Sequence, residues 1–210
     1  MHPVSVRRAA GVTFVELVVA LCVLSLLLVV GIPSMSTWVT ANKATGASEF
    51  YAEGMRSARL AAITHNSASR FVMVVNNTSG QMNWQVDICF STPTVPCTDT
   101  TGVWSTTSSI ASGDPEGTTG FKSIFRSAHR LPNTSVMQET FLPAGATNIY
   151  FTPLGWVDTT VTPRLTRLTL TPTPNYASAF RATALVVSLA GMTSKCDPIV
   201  GTADSRRCPP

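Results

Sequence analysis

The longest apolar run of the chain lies near its N-terminus and covers residues 12–33, which read VTFVELVVALCVLSLLLVVGIP. As a helix rising about 1.5 Å per residue, this run would be about 33 Å long, close to the ~30 Å hydrocarbon thickness of a bilayer. Arg7 and Arg8 precede it, and basic residues in that position favour a cytoplasmic N-terminus. The pattern therefore predicts a transmembrane helix over 12–33, with the remainder of the chain outside the cytoplasm.

A secretory signal peptide and a buried core helix are alternative explanations of this run. A signal peptide has an apolar region of about 7–15 residues that ends at small residues, and the run here is longer. A core helix is seldom apolar on every side over such a length. A membrane anchor is therefore the favoured explanation.

Residues 34–66 form an Ala-rich segment with an intermittent apolar stripe that includes Trp38, Phe50 and Ile63. Apolar residues at this spacing predict that the helix continues and that one of its faces packs against the rest of the protein. Gly46 and Gly54 are expected to weaken it, by about 1 kcal/mol each relative to Ala.

Residues 67–210 have a different texture, because short runs rich in Val, Ile, Thr and aromatic residues alternate with turn-forming segments. We expect a β-rich head that contains an antiparallel sheet, or two small ones, packed on the outer half of the helix. The polar stretch 98–140 is too long for a plain loop and is expected to hold at least one irregular strand or insertion. The predicted fold class is α+β, with a long N-terminal helix whose first half is transmembrane.

Composition limits the classes of protein that the chain can belong to. With 44% hydrophobic and 12% charged residues, it is too apolar for a disordered protein. Its formal net charge of +4 comes without a long basic run, so charge alone does not predict a nucleic-acid partner. No internal repeat is evident, which argues against a solenoid or a propeller.

Glu16 is the one charged residue inside the apolar run. A carboxylate in such a position costs about 2.5–3.5 kcal/mol on insertion scales and normally has a partner. No Lys or Arg lies between Arg8 and Lys43, so we expect the partner to come from another chain or from a new chain terminus. Cleavage after Gly11 would create such a terminus on Val12.

A short basic leader ending in Gly11, then VTFVE with Glu16 fifth after the glycine, then an apolar helix, resembles the signal of type IV pilins and type II secretion pseudopilins. The resemblance implies that a prepilin peptidase cuts after Gly11 and methylates Val12, which stands where the family usually has Phe. It also implies that Glu16 aligns subunits as they assemble. The chain would then divide into a leader (1–11), a transmembrane helix (12–33), a periplasmic half-helix (34–66) and a head (67–210).

Segments of the head are similar to the H-type pseudopilin and FimT/FimU minor-pilin group; they are SARLAAITHNSASRFVMVV, YFTPLGWV and ALVVSLAGMTSKC. This similarity implies a minor pseudopilin or minor pilin that acts in filament assembly and protein secretion. Its partners would be the prepilin peptidase, other pilins or pseudopilins, and the inner membrane. It would be a single-pass inner-membrane protein with a periplasmic head, and part of a periplasmic pseudopilus or a pilus after assembly.

Four of the five cysteines lie in the head, and Cys22 lies in the apolar run as a small apolar residue. Cys89 and Cys97 enclose one short loop, while Cys196 and Cys208 enclose another. Two disulfides fit a non-cytoplasmic compartment; three pairings are open, and we favour the sequential one. A zinc site is disfavoured, because the spacings are not typical and no histidine is close in sequence.

The sequence carries no recognisable catalytic site. His2, His65 and His129 are not tied by any motif to a nucleophile, and there is no G-x-S-x-G, P-loop or H-E-x-x-H sequence. We predict no enzyme activity, no cofactor and no metal site.

DNA capture by the C-terminal tail is the alternative function, because some FimT-type minor pilins bind DNA through a basic C-terminal region. Lys195, Arg206 and Arg207 are the candidate contacts here, although the arginines of the family element are missing at Gly191–Lys195. Asp197 and Asp204 offset these cations, and each phosphate contact needs its own cation. A solvated loop is therefore favoured over a DNA-binding site.

Overall fold

The computed structural model of the chain describes residues 11–201 and 203–209. It divides into two compact units, Met1–Val39 and Thr40–Pro210. Helix α1 (Phe14–Thr64) contributes to both, and its side chains are described at 14–28, at Met35 and from Trp38 onward. Of the predicted leader, only Gly11 belongs to the described residues.

The prediction of a transmembrane first half of the helix is wrong, and so is the predicted single-pass location in the inner membrane. Across residues 11–201 and 203–209, no helix combines the length and the apolar character needed to cross a bilayer.

Within the second unit, residues 40–64 of α1 bury one face against the head. The buried positions recur every three or four residues, as expected for one helix face: Ala44, Ala47, Tyr51, Met55, Ala58 and Ala62. The helix ends at Thr64 because Asn66 adopts a positive φ of 46°, a conformation that Asn tolerates better than most residues. The Ser67 amide then donates to the Ala62 carbonyl at 3.1 Å and closes the helix end.

The described head contains eight strands, and all paired strands are antiparallel. In chain order they are β1 (Ala68–Val75), β2 (Met82–Cys89), β3 (Ile124–Arg126), β4 (Met137–Leu142), β5 (Asn148–Phe151), β6 (Arg167–Pro172), β7 (Thr183–Val187) and β8 (Thr193–Cys196). They form two four-stranded sheets, with the orders β3-β2-β1-β5 and β4-β6-β7-β8. The predicted fold class is therefore corrected: the described residues form α1 and two antiparallel sheets, and no membrane-spanning helix. The stretch 98–140 contributes β3, a short 3-10 turn at Gly117–Thr119 and the start of β4.

The core forms where α1 meets the first sheet. Phe71 of β1 and Trp84 of β2 are buried side by side, with ring centroids 6.2 Å apart. Gly54 of α1 faces both rings, and a Cβ on it would lie 2.5 Å from Phe71 Cε2. Close approach of the helix therefore requires glycine at this position.

A buried polar junction joins α1 to both sheets. The Tyr51 hydroxyl of α1 hydrogen bonds to the Glu139 carboxylate of β4 and lies 2.9 Å from the Met82 carbonyl of β2. Burial raises the pKa of Glu139 to about 7 and also raises the pKa of Tyr51. Because the three residues come from three elements, the junction holds the two sheets and the helix in one arrangement.

The C-terminal tail is fastened to the second sheet. A disulfide joins Cys196 at the end of β8 to Cys208. The Asp197 amide donates to the Arg206 carbonyl at 2.7 Å, and the Arg167 guanidinium of β6 donates to the Pro209 carbonyl. After the loop that the Cys196–Cys208 disulfide closes, the tail therefore returns to the end of the edge strand β8.

Candidate functional site

The segment 12–28 is an apolar surface, helical from Phe14 onward, that none of the described residues of its unit covers. Every side chain in this segment is exposed, and Phe14 at 80% and Leu26 at 69% are typical. Monomeric soluble proteins rarely expose contiguous apolar patches of more than a few hundred Å², and larger patches usually mark sites of interaction. We call residues 12–28 the apolar segment and treat it as the candidate functional site.

Thr13 and Glu16 form a capping box at the N-terminus of α1. The Glu16 amide donates to the Thr13 hydroxyl at 3.3 Å, and the Thr13 amide donates to Glu16 Oε2 at 3.3 Å. The Leu17 amide donates to the Thr13 carbonyl at 3.1 Å and begins the helix. Each of the two side chains thus satisfies a backbone donor that the helix leaves open.

This capping box gives Glu16 a local partner that the sequence reasoning missed. The spacing Thr-x-x-Glu before an apolar run is a known signature of a helix start, and it was present in the sequence. From the sequence, only a cation is predicted as the partner of Glu16. The structure shows backbone and hydroxyl donors instead, all within one turn of the same chain.

Gly11 and Val12, the predicted processing residues, are exposed and lie outside any helix or strand, directly before the cap. Cleavage between them would place a new amino group on Val12, one residue before the amide that Glu16 already accepts. Consecutive Cα atoms are about 3.8 Å apart, so this amino group would form close to the Glu16 carboxylate. Arg7, Arg8 and His2 lie outside the described residues.

The prediction of two disulfides is confirmed, and the pairing is sequential. Cys89 is joined to Cys97 and Cys196 to Cys208. Their sulfurs are therefore not available as zinc ligands. Cys22, on the apolar segment, is the one free cysteine of the chain and is exposed.

The structure does not gather the three candidate DNA contacts into one free cationic site. Lys195 Nζ lies 2.5 Å from Glu49 Oε1 and 2.8 Å from Ser48 Oγ, and this contact lowers the pKa of Glu49. Arg206 forms a two-pronged pair with Asp204, which lowers the pKa of Asp204 to about 2. The Arg207 side chain has neither an ion pair nor a hydrogen bond among residues 11–201 and 203–209. Two of the three cations are thus neutralised by carboxylates.

The other histidines that the sequence offered serve as surface side chains. The His65 ring contacts the Phe121 ring with centroids 5.0 Å apart, and His129 Nδ1 lies 3.3 Å from Ser127 Oγ. In the part of the chain that the structure describes, no three His, Cys, Asp or Glu residues are placed so as to hold a metal ion.

No protein-family model, no curated protein and no solved structure matches the chain. Three features of the described residues bear on function. They are an exposed apolar helix, a single acidic residue at its start and an exposed Gly-Val bond directly before it. Such an arrangement is suited to assembly with other chains.

Proposed function

We propose that the chain is a subunit of a filament of the type IV pilin or type II secretion pseudopilin kind, and that it acts as a minor pseudopilin or minor pilin in filament assembly and protein secretion. One observation carries the proposal: the apolar segment is exposed on every side and bears one charge, Glu16, five residues after Gly11. The expected partners are a prepilin peptidase and other subunits with similar helices.

The distribution of apolar side chains supports a filament over a simple dimer. Burying a Val, Leu or Phe side chain contributes about 1.5–3 kcal/mol, so covering the segment is strongly favourable. A single partner helix covers only one side of a helix, whereas the exposed residues here lie all around it, among them Val15, Leu17, Val18 and Leu24. Several neighbours are needed to cover them all, as in the centre of a helical filament.

Glu16 determines the register in which neighbouring helices pack. When neighbouring apolar side chains surround the segment, the carboxylate loses water, and an unpaired charge in that position is costly. The amino group that cleavage creates on Val12, in the same chain or in a neighbour, would supply the cation. Subunits that pack out of register leave this charge without its partner.

Crosslinking through Cys22 tests the proposal directly. Cys22 is the one free thiol, so a thiol-reactive photo-crosslinker on the full chain marks the apolar segment alone. In cells that express the whole assembly machinery, we expect irradiation to join the chain to other filament subunits. The variant Cys22→Ser is the labelling control. If no subunit is captured while the other subunits still assemble, the proposal is wrong.

Substitutions at the cap separate the two roles of Glu16. Glu16→Gln keeps an acceptor for the Thr13 amide but removes the charge, whereas Thr13→Val removes the cap hydroxyl and keeps the charge. We expect Glu16→Gln and Glu16→Ala to lose the crosslinks and Thr13→Val to retain them. If Glu16→Gln retained the crosslinks and Thr13→Val lost them, Glu16 would serve only the helix cap.

We do not propose DNA capture by the tail. Lys195 and Arg206 are held by Glu49 and Asp204, and binding a phosphate would require each cation to leave its carboxylate.

A further inference from the structure

A polar cleft with a volume of about 320 Å³ lies in the second unit. Three separate parts of the chain line it. Lys43 comes from α1, Thr78 and Ser79 come from the turn between β1 and β2, and His129 and Asn133 come from the loop between β3 and β4. Side chains that can donate hydrogen bonds thus converge on one concave space, which we call the polar cleft.

Hydrogen bonds fix the walls of the polar cleft. The side-chain oxygen of the buried Asn76 accepts from the amides of Thr78 at 2.9 Å and Ser79 at 3.1 Å. The buried Gln81 side chain donates to the Pro132 carbonyl at 2.7 Å, and the Thr134 amide donates to the Ser79 carbonyl at 3.2 Å. The two loops are therefore held together, and the shape of the cleft exists before any ligand binds.

Lys43 lines the polar cleft, and the loop that contributes His129 and Asn133 contains no acidic residue. Lys43 forms no hydrogen bond or ion pair with any residue that the structure describes. Arg130, next to His129, donates from Nε to His129 Nε2 at 3.2 Å, which brings a second cation to the rim. No Asp or Glu occurs in the sequence between Glu116 and Glu139. Lys195 and Arg206, by contrast, are paired with carboxylates.

We propose that the polar cleft binds a phosphate group, either free phosphate or the terminal phosphate of a small molecule. An ammonium group, hydroxyls and an amide are donors that suit a multiply charged oxyanion, and charge-assisted hydrogen bonds are the stronger kind. The donors converge on one space instead of following a row, so a discrete anion fits better than an extended polyanion. This inference does not depend on the proposed filament.

Calorimetric titration of the full chain with inorganic phosphate, at constant ionic strength set by chloride, tests the inference. We expect saturable binding that Lys43→Gln weakens at least about tenfold, the effect of losing one charge-assisted hydrogen bond. Lys122→Gln is the matched control, because Lys122 is exposed in the same acid-free stretch but does not line the cleft. Since Lys43 is exposed, its variant is expected to fold, and its unfolding midpoint checks this.

Three results would overturn the inference. The first is the absence of a heat signal with phosphate. The second is an equal loss of affinity in Lys122→Gln and Lys43→Gln, which would indicate only the general positive field of the head. The third is binding of a short single-stranded oligonucleotide without binding of phosphate, which would identify the surface as a polyanion contact. Broadening of the phosphorus NMR line of phosphate by the unsubstituted chain, but not by Lys43→Gln, would support the site independently.

Discussion

Gly54 of α1 lies against the indole of Trp84 in β2, so close that a Cβ at this position would be 2.7 Å from Trp84 Cδ2. Trp84 and the neighbouring Phe71 are both buried, so neither ring has room to move away. The helix meets the first sheet through this contact, and the absence of a side chain at one position sets the distance between the two layers.

Replacing this glycine is expected to destabilise the head. Gly54→Ala gains about 1 kcal/mol of helix propensity, but overpacking a buried site typically costs about 1–3 kcal/mol. Because the rings cannot yield, we expect a net loss in the free energy of unfolding, measured by denaturant titration. Gly46→Ala is the matched control, since Gly46 is exposed with no atom within 4 Å of its added Cβ, and it is expected to stabilise. Equal effects of the two substitutions would contradict the packing argument.

The stability of the head is expected to fall as the pH rises from about 4.5 to about 7. Burial raises the pKa of Glu139 from 4.5 to about 7, so the folded state holds a proton that the unfolded chain releases earlier. The stabilisation is complete below pH 4.5 and is lost as the pH passes through 7, with a total on the order of 3 kcal/mol.

Glu139→Gln removes this pH dependence while it keeps a side chain of similar shape beside Tyr51. Unfolding midpoints across the pH range, compared with the unsubstituted chain, measure the effect. Glu53→Gln, which changes an exposed carboxylate on the same helix as Tyr51, is expected to leave the profile unaltered. If the unfolding midpoint of Glu139→Gln still fell with rising pH, another group would be responsible for the pH dependence.

Coexpression with a prepilin peptidase is expected to yield a product that begins at Val12. The Gly11–Val12 bond joins two exposed residues that precede the helix, so a peptidase can reach it without unfolding the helix. Intact mass and N-terminal sequencing identify the product, and an inactive peptidase is the control. Gly11→Val leaves the fold unstrained, because no atom lies within 4 Å of a Cβ at Gly11, so loss of cleavage would report recognition of the glycine. A chain that remains uncut at Met1 would refute the processing.

The C-terminal disulfide is expected to stabilise the head by about 3 kcal/mol, the chain-entropy estimate for closing a short loop. Cys196 and Cys208 are 12 positions apart, and replacing both with Ser opens the loop. Denaturant unfolding measures the loss. Cys22→Ser should have no effect, because that thiol is exposed and unpaired. If the double variant were as stable as the parent, the tail contacts at Asp197 and Arg167 would be sufficient to hold the loop.

The sequence predicted most elements of the head, because local patterns determine them. The runs rich in Val, Ile, Thr and aromatic residues correspond to β1, β2, β5, β6 and β7. An irregular strand was expected within 98–140, but the place of β3 could not be given, since two of its three residues are exposed and it has no alternating pattern. Two small sheets were one of the two expected arrangements, and the membership of each sheet was not predictable, because it depends on pairing between distant strands.

Contacts between distant residues account for what the sequence could not show at the candidate sites. Lys195 is 146 positions from Glu49, and nothing local indicates that the two meet. The polar cleft likewise combines Lys43 with His129 only because the fold brings α1 beside the loop before β4. The cap at Thr13 differs, since its Thr-x-x-Glu signature is local and can be found in the sequence. From the sequence, Gly54 is only expected to weaken the helix, and the position of Trp84 shows why glycine is needed there.

The tail that returns to β8 has a consequence for how copies of the chain can meet. An edge strand offers unpaired backbone groups to any other strand, and this is how sheets fuse between molecules and aggregate. Beside β8, the Arg206 carbonyl already accepts the Asp197 amide, and the Cys196–Cys208 bond keeps it there. A foreign strand cannot pair at that end without displacing the tail. This end of β8 is thereby protected against sheet extension, whereas β3, β5 and β4 form the other edges of the two sheets.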